Sequence, residues 1–339
     1  MTDIKSFTFE ELKEIGAKLS WEKYRAQQVF LWLWQKGVNS FDEMTNLSKE
    51  FRDRLRKEYH ISHLVPERRR ESADQTTKFT FPLKDGLLVE SVFIIDQNRR
   101  TVCVSTQVGC SLGCRFCATA RMGFKRNLAW YEIVEQIQAV GREMKLAPTN
   151  VVFMGMGEPL FNWQEVAEAI RTINSNYGLK IGARRITVST AGIPEGIHQV
   201  AEFPYQVRLA VSLNATTDAV RSRLMPINNR YPLKRLFSAV RYYVEKTKRR
   251  VTFEYVLIDG VNNLREDALR LVTILRDIPC KINLIPYNPI PGSEFKPPTL
   301  RSVENFAHIL YPYLPAVTIR QSRGARISAG CGQLAVNLS

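Results

Sequence analysis

Three cysteines, Cys110, Cys114 and Cys117, stand in GCSLGCRFCATA with the spacing C-x3-C-x2-C, and the next cysteine, Cys280, is remote in sequence. Thiolates are soft ligands that suit zinc or iron–sulfur clusters. A closed structural zinc site takes four ligands. Three thiolates can instead hold three irons of a cubane [4Fe–4S] cluster and leave the fourth iron free to bind a substrate. Two other readings stay open: a zinc site that borrows Cys103, and cysteines that are simply buried. Cys103 lies on an expected strand, an awkward position for a compact zinc knuckle, and His60, His63, His198 and His308 form no ligand-spaced pair. The open cluster is the favoured reading.

Two further cysteines invite different roles. Cys331, in GARISAGCGQL, sits between glycines beyond the last expected strand, where a thiol is exposed or closely approached and can serve as a nucleophile. Cys280, in DIPCKINL, reads as core. Residues 154–159, MGMGEP, place Gly155, Gly157 and Glu158 after an apolar run, as a ligand-approaching loop or a tight turn.

The elements that must position these residues follow from periodicity. Residues 1–60 carry apolar side chains at three- and four-residue intervals, predicting a helical module. TKFTFPLKDGLLVESVFII reads as a strand pair about a KDG turn, after the basic ERRRES as linker. From residue 100, short β-branched runs alternate with amphipathic helices through six βα units, and AVTIR forms a last strand. Such alternation predicts a parallel sheet, here an open, partial (β/α)6 barrel of the α/β class, since a full barrel needs eight units. The expected divisions are a helical N-terminal accessory domain at 1–66, a basic linker with a strand-rich extension at 67–95, and the barrel with its C-terminal cysteine loop at 96–339. Ligands gather at the carboxyl ends of such strands. Six polar or Gly-rich loops fall there: the cysteine loop, MGMGEP, the turn at 189–192, SLNATT, IDGVNN and PYNP.

Net charge is +15, and residues 1–60 nearly balance, with 11 Lys+Arg against 10 Asp+Glu, so the basic excess belongs to the remainder. That distribution points to a polyanion, most often nucleic acid, with general solubility as the other reading; arginines near 67–70 and 320–326 are the candidate phosphate contacts. No apolar run reaches the ~20 residues of a membrane span, and the N-terminus lacks a signal-peptide core, so a cytoplasmic protein is expected.

The cysteine motif, with Phe116 before its last cysteine, resembles the signature of radical S-adenosylmethionine enzymes. FMGMGEPL, ITVSTAGI, LAVSLNATTDAVRSRLMPIN, NLIPYNPIPG and CGQL are similar to the RlmN/Cfr family of RNA adenosine methyltransferases, over nearly the whole chain. The resemblance implies that Cys110, Cys114 and Cys117 hold the cluster, whose open iron chelates the amino and carboxylate groups of S-adenosyl-L-methionine. One electron, from a donor such as flavodoxin or ferredoxin, would then release a 5′-deoxyadenosyl radical. It places Gly157, Glu158, Ser189, Ser212, Leu213, Asn214 and Asn288 at the S-adenosylmethionine pocket. It also implies that one S-adenosylmethionine methylates Cys331 and that a second supplies the radical that activates this S-methyl group for attack on an adenine ring carbon. Glu90 would accept the ring proton, with Cys103 as a rival base, and a Cys103–Cys331 disulfide would release the product. This chain departs from the family pattern at Arg326, where an acid is common, and at Gly330, where alanine is common.

The activity so implied is methylation of carbon 2 of an adenosine in 23S rRNA and of the adenosine 3′ of the anticodon in tRNA. Within the family the alternative is the Cfr-type reaction at carbon 8, which confers ribosomal antibiotic resistance. Outside it stand another radical enzyme, with no need for Cys331 or Cys103, and a non-enzymatic iron–sulfur or zinc RNA-binding module.

Overall fold

The structure, a computed structural model, describes residues 1–335. Its N-terminal module starts with the short strand β1 (Thr2–Asp3) and runs through helices α1 (Phe9–Lys18), α2 (Arg25–Leu31) and α3 (Lys49–Glu58). It ends at β2 (Tyr59–His60), which pairs parallel to β1. Thr8 and Glu11 start α1 with a reciprocal capping box.

Three antiparallel strands follow: β3 (Arg68–Glu71), β4 (Thr76–Pro82) and β5 (Leu88–Asp96). Much of the basic stretch read as a linker is therefore a strand. It lies at the sheet's outer edge, where exposed arginines discourage pairing with another chain. Next come β6 (Arg99–Cys103) and a separate hairpin, β7 (Gln107–Gly109) and β8 (Phe124–Asn127), which brackets the cysteine loop and the short α4 (Ala118–Arg121).

The remaining chain alternates as the periodicity predicts. Helix α5 (Trp130–Met144) leads to β9 (Asn150–Phe153), α6 (Trp163–Asn174), β10 (Ile186–Thr190), α7 (Pro194–Glu202) and β11 (Arg208–Ser212). Helices α8 (Asp218–Leu224) and α9 (Leu233–Thr247) precede β12 (Val251–Leu257). Then come α10 (Arg265–Leu275), β13 (Cys280–Pro286), α11 (Leu300–Leu310) and β14 (Val317–Ile319). One ten-stranded sheet results, in the order β14-β13-β12-β11-β10-β9-β6-β5-β4-β3. From β6 to β14 every neighbouring pair is parallel. The six βα units form the partial barrel, and β14 adds one more parallel strand.

Strand alternation decides what faces the barrel interior. On β12, Val251, Phe253, Tyr255 and Leu257 are fully buried in the main apolar core, while Thr252, Glu254 and Val256 line interior cavities. On β13, Cys280, Ile282 and Leu284 join that core and Lys281, Asn283 and Ile285 point inward. The interior is consequently polar, and the helix-facing side is not. Cys280 is core, as read.

The helical module is fastened to α5. Lys5 is fully buried and paired with Glu135, and its ammonium lies 5.3 Å from the centre of the Trp34 ring. Gln138 donates to the carbonyls of Leu33 and Trp34, and Trp34 packs on Trp130 with ring centres 5.2 Å apart. Among the described residues, no helix is long and apolar enough to cross a membrane.

Candidate functional site

The loops at the carboxyl ends of the parallel strands enclose a cavity lined by Cys110, Cys114 and Cys117. Five of the six expected loops reach it. The exception is IDGVNN, whose Asn262 instead braces the backbone: its amide donates to the carbonyls of Asn214 and Val256 and accepts from the Ile258 N–H.

Burial raises the pKa of all three thiols, to about 12 for Cys110. Buried thiols of this kind do not ionise unaided; a cationic metal centre supplies the missing stabilisation. Among the described residues, no three His, Cys, Asp or Glu side chains gather as ligands of a single ion. The three thiols are distributed around one cavity, and a cubane takes one thiolate per iron. The donor set therefore fits a three-cysteine [4Fe–4S] cluster.

Gly157 follows β9 with φ of +95°, and a Cβ there would lie 2.5 Å from the Gln107 side chain, so glycine is required by close packing as well as by conformation. Glu158 is buried, its N–H donating to Gln107 Oε1 while its two oxygens accept from the N–H groups of Leu160 and Ala191. Burial pushes its carboxyl up to about 7 despite these bonds. Ser189 and Ser212, inward residues of β10 and β11, line the same cavity. So does Asn214, held at φ +57° with its Oδ1 accepting from the Val256 N–H. Leu213 does not line it: alternation turns its side chain into the apolar core, and its carbonyl accepts from Arg221.

The stretch 329–335 crosses the cavity as a strap. Asn288 donates to the Cys331 carbonyl at 3.1 Å, and Gln333 donates to the Pro289 carbonyl. On the other side, Ala118 N–H donates to the Gly332 carbonyl at 2.7 Å and the Thr119 hydroxyl to that of Leu334. The strap thus joins the loop after β13 to the cysteine loop, and Cys331 is exposed on the cavity wall. A Cβ at Gly330 would lie 2.8 Å from Asn288 Nδ2 and Gln333 Oε1, so alanine there requires those side chains to shift.

Cys103 and Glu90 lie behind this wall, not on it. Cys103 ends β6, packs with Ala329 and Leu334 of the strap, and has its thiol pushed up to about 12 by burial, then by the nearby Cys331. Both cysteines are free thiols. Glu90 is buried on β5 with Oε1 paired to Lys78 and Oε2 without a partner among the described residues.

Sequence reasoning missed three charged residues here and misplaced a fourth. Lys78 and Glu254 break apolar strand runs, which was the available signal. Arg221 is fully buried on α8 and bonds the carbonyls of Ala191, Ser212 and Leu213, close to Cys114; burial lowers its pKa to about 10. Arg320, expected as a phosphate contact, is turned inward to the cavity wall beside Cys331.

A partial parallel barrel with three cysteines at its first strand-end loop defines a radical S-adenosylmethionine protein, and the sequence model of the radical SAM superfamily matches residues 104–272. The model of the ribosomal RNA large subunit methyltransferase N-terminal domain matches residues 2–61. The chain is 46% identical to the dual-specificity RNA methyltransferase RlmN of Pelobacter propionicus, over 98% of this chain and 95% of that one. It is 47% identical to that of Geobacter sulfurreducens, over 98% and 92%. The crystal structure of a radical SAM methyltransferase from Sphaerobacter thermophilus superposes with a TM-score of 0.93, at 43% identity, over 98% of this chain and 99% of that chain. The chain belongs to the RlmN family of radical SAM RNA methyltransferases. Its cofactors are a [4Fe–4S] cluster and S-adenosylmethionine.

Proposed function

We propose that this protein methylates carbon 2 of a specific adenosine in 23S rRNA and of the adenosine 3′ of the anticodon in tRNA, through an S-methylcysteine at Cys331 and two molecules of S-adenosylmethionine. The observation that carries the reading is the position of Cys331. An exposed thiol, strapped to the cysteine loop, shares one cavity wall with the three cysteines and has a second thiol, Cys103, behind it. A different radical chemistry or a non-enzymatic cluster module needs neither Cys331 nor Cys103.

In this reading Cys110, Cys114 and Cys117 hold the cluster, which with S-adenosylmethionine supplies a 5′-deoxyadenosyl radical once a donor such as flavodoxin or ferredoxin provides an electron. The chain's residues do the rest. Glu158, with Gly157, grips the methionine ammonium, and Ser189, Ser212, Asn214 and Asn288 line the pocket; Leu213 contributes backbone only, its side chain being in the core. Asn288 also steadies Cys331 through its carbonyl. Glu90 accepts the ring proton, a role supported by its unpartnered Oε2. Cys103, as the thiolate, attacks the Cys331 sulfur; the disulfide forms as the carbon–sulfur bond breaks, its electron pair leaves with the methylene carbon into the adenine ring, and a proton completes the methyl group. The helical module at 1–66 and the extension at 67–95 serve as the scaffold and RNA-docking surfaces beside the barrel.

The test is nucleoside analysis. Anaerobically reconstituted protein is incubated with S-adenosylmethionine, a reductant, and rRNA or tRNA, and the digested RNA is resolved by mass spectrometry. 2-Methyladenosine is expected. 8-Methyladenosine overturns the regiochemistry, and no methylated adenosine overturns the substrate.

A further inference from the structure

A second cavity lies within the barrel, below the first. The two share Met154, Glu254, Ile285, Arg320 and Cys331, so Cys331 stands at the junction of one passage. The lower part is lined by Arg99, Arg184, Arg208, Arg249, Arg250 and Lys281. Of the two acids on its wall, Asp96 is paired with Arg323 at 2.8 Å. The other is Glu254.

Glu254 is 6% exposed on β12. Its Oε1 accepts from Asn283 Nδ2 at 2.8 Å, and its Oε2 is buried with no partner among the described residues. A buried carboxyl oxygen without a donor is costly unless a ligand supplies one. A phosphate cannot, being itself an acceptor. A nucleobase amine can.

Resting on adenosine as the substrate, we propose that Glu254, held by Asn283, is the adenine-reading residue. The target nucleotide enters by the basic end of the lumen, its flanking phosphates stay among the arginines, and its exocyclic N6 amine donates to Glu254 Oε2. The base is thereby brought beside Cys331. Burial favours the neutral carboxyl in the empty lumen, and an amine donor favours the ionised form.

The probe is an RNA stem-loop carrying, at the target position, either adenosine or purine riboside, which lacks only the amine. The anaerobic wild-type protein is expected to bind and turn over the adenosine form at least about tenfold better, the discrimination usual for a site built around a hydrogen bond. Glu254→Leu is expected to bring that ratio near one. Glu254→Gln, which keeps an acceptor oxygen, is expected to retain part of it, and it serves if the Leu variant fails to fold. An undiminished wild-type preference in either a folded Leu or a folded Gln variant, or no preference in the wild type, overturns the inference. If the wild type methylates adenosine while the preference is independent of residue 254, only this inference falls. If it methylates no adenosine in any RNA, the proposed function falls with it.

Discussion

Lys78 and Glu90, on adjacent strands β4 and β5, form an ion pair of 3.0 Å in which both side chains are 3% exposed. The same ammonium donates to the Ser328 carbonyl at 3.2 Å, at the root of the strap. Breaking one partner of such a pair strands a buried charge, at a cost of about 3–5 kcal/mol. Lys78→Met is therefore expected to lower the urea midpoint strongly. Lys78→Met combined with Glu90→Leu is expected to recover most of that stability while leaving methylation impaired. A single Lys78→Met variant as stable as the parent would show that the pair carries no such weight.

The resolving role proposed for Cys103 has a visible consequence. Cys103→Ala is expected to leave RNA covalently attached to the protein after anaerobic reaction, seen as a nuclease-sensitive, slow-migrating band on a denaturing gel. Normal multiple turnover by this variant would remove the disulfide step.

Glu158 sets a pH dependence. Its folded-state pKa of about 7 lies above its ordinary 4.5, because burial favours the protonated form. In the cofactor-free protein this group's stabilising contribution is present below about 4.5 and is lost as pH rises through about 7. Binding an ammonium group favours the ionised form instead, so below about 7 S-adenosylmethionine must displace a proton. Its Kd is expected to weaken toward tenfold per pH unit there. Glu158→Gln is expected to bind more weakly and without that slope. A wild-type Kd that is flat from about pH 5.5 to 8 contradicts the assignment.

Arg221 ties three strand-end carbonyls together and also donates to Asn228 Oδ1. Arg221→Met removes this donor from the Ala191 and Ser212 carbonyls and from Asn228 Oδ1, while the Leu213 carbonyl keeps the Ala215 N–H, and the loss costs roughly 3 kcal/mol or more in sum. Thermal unfolding of the variant is expected well below that of the parent, together with a raised Kd for S-adenosylmethionine, since Ala191 and Ser212 line the cavity proposed to hold it. An unchanged melting temperature would show that water satisfies those carbonyls.

Much of this site was legible because its signals are local. C-x3-C-x2-C is a feature of eight residues, and the βα rhythm is written in short apolar runs. Strand alternation was the overlooked signal at Leu213, expected at the pocket: it turns that side chain into the core, while Ser212 and Asn214 line the cavity. What escaped depends on register between distant segments. Lys78 meets Glu90 because Lys78 pairs with Val92 and Thr80 with Glu90 across the β4–β5 hairpin, which puts the two charges on one face. Arg320 looked like a surface arginine and turns inward only because β14 completes the parallel edge. IDGVNN read as a ligand loop, but its Asn262 is spent on backbone bracing and its Asn263 on Asp259 and Ser302. Glu254 offered a fair hint, a lone acid in VTFEYVL, yet its unpartnered oxygen is apparent only once Asn283 stands beside it.

The strap lashes Cys331 to the loop that carries Cys110, Cys114 and Cys117, by way of Ala118–Gly332 and Thr119–Leu334. Damage to one is consequently damage to the other. In the proposed function, loss of the cluster to air is therefore expected to loosen Cys331 as well, so that spoiled protein stops methylating rather than marking the wrong atom.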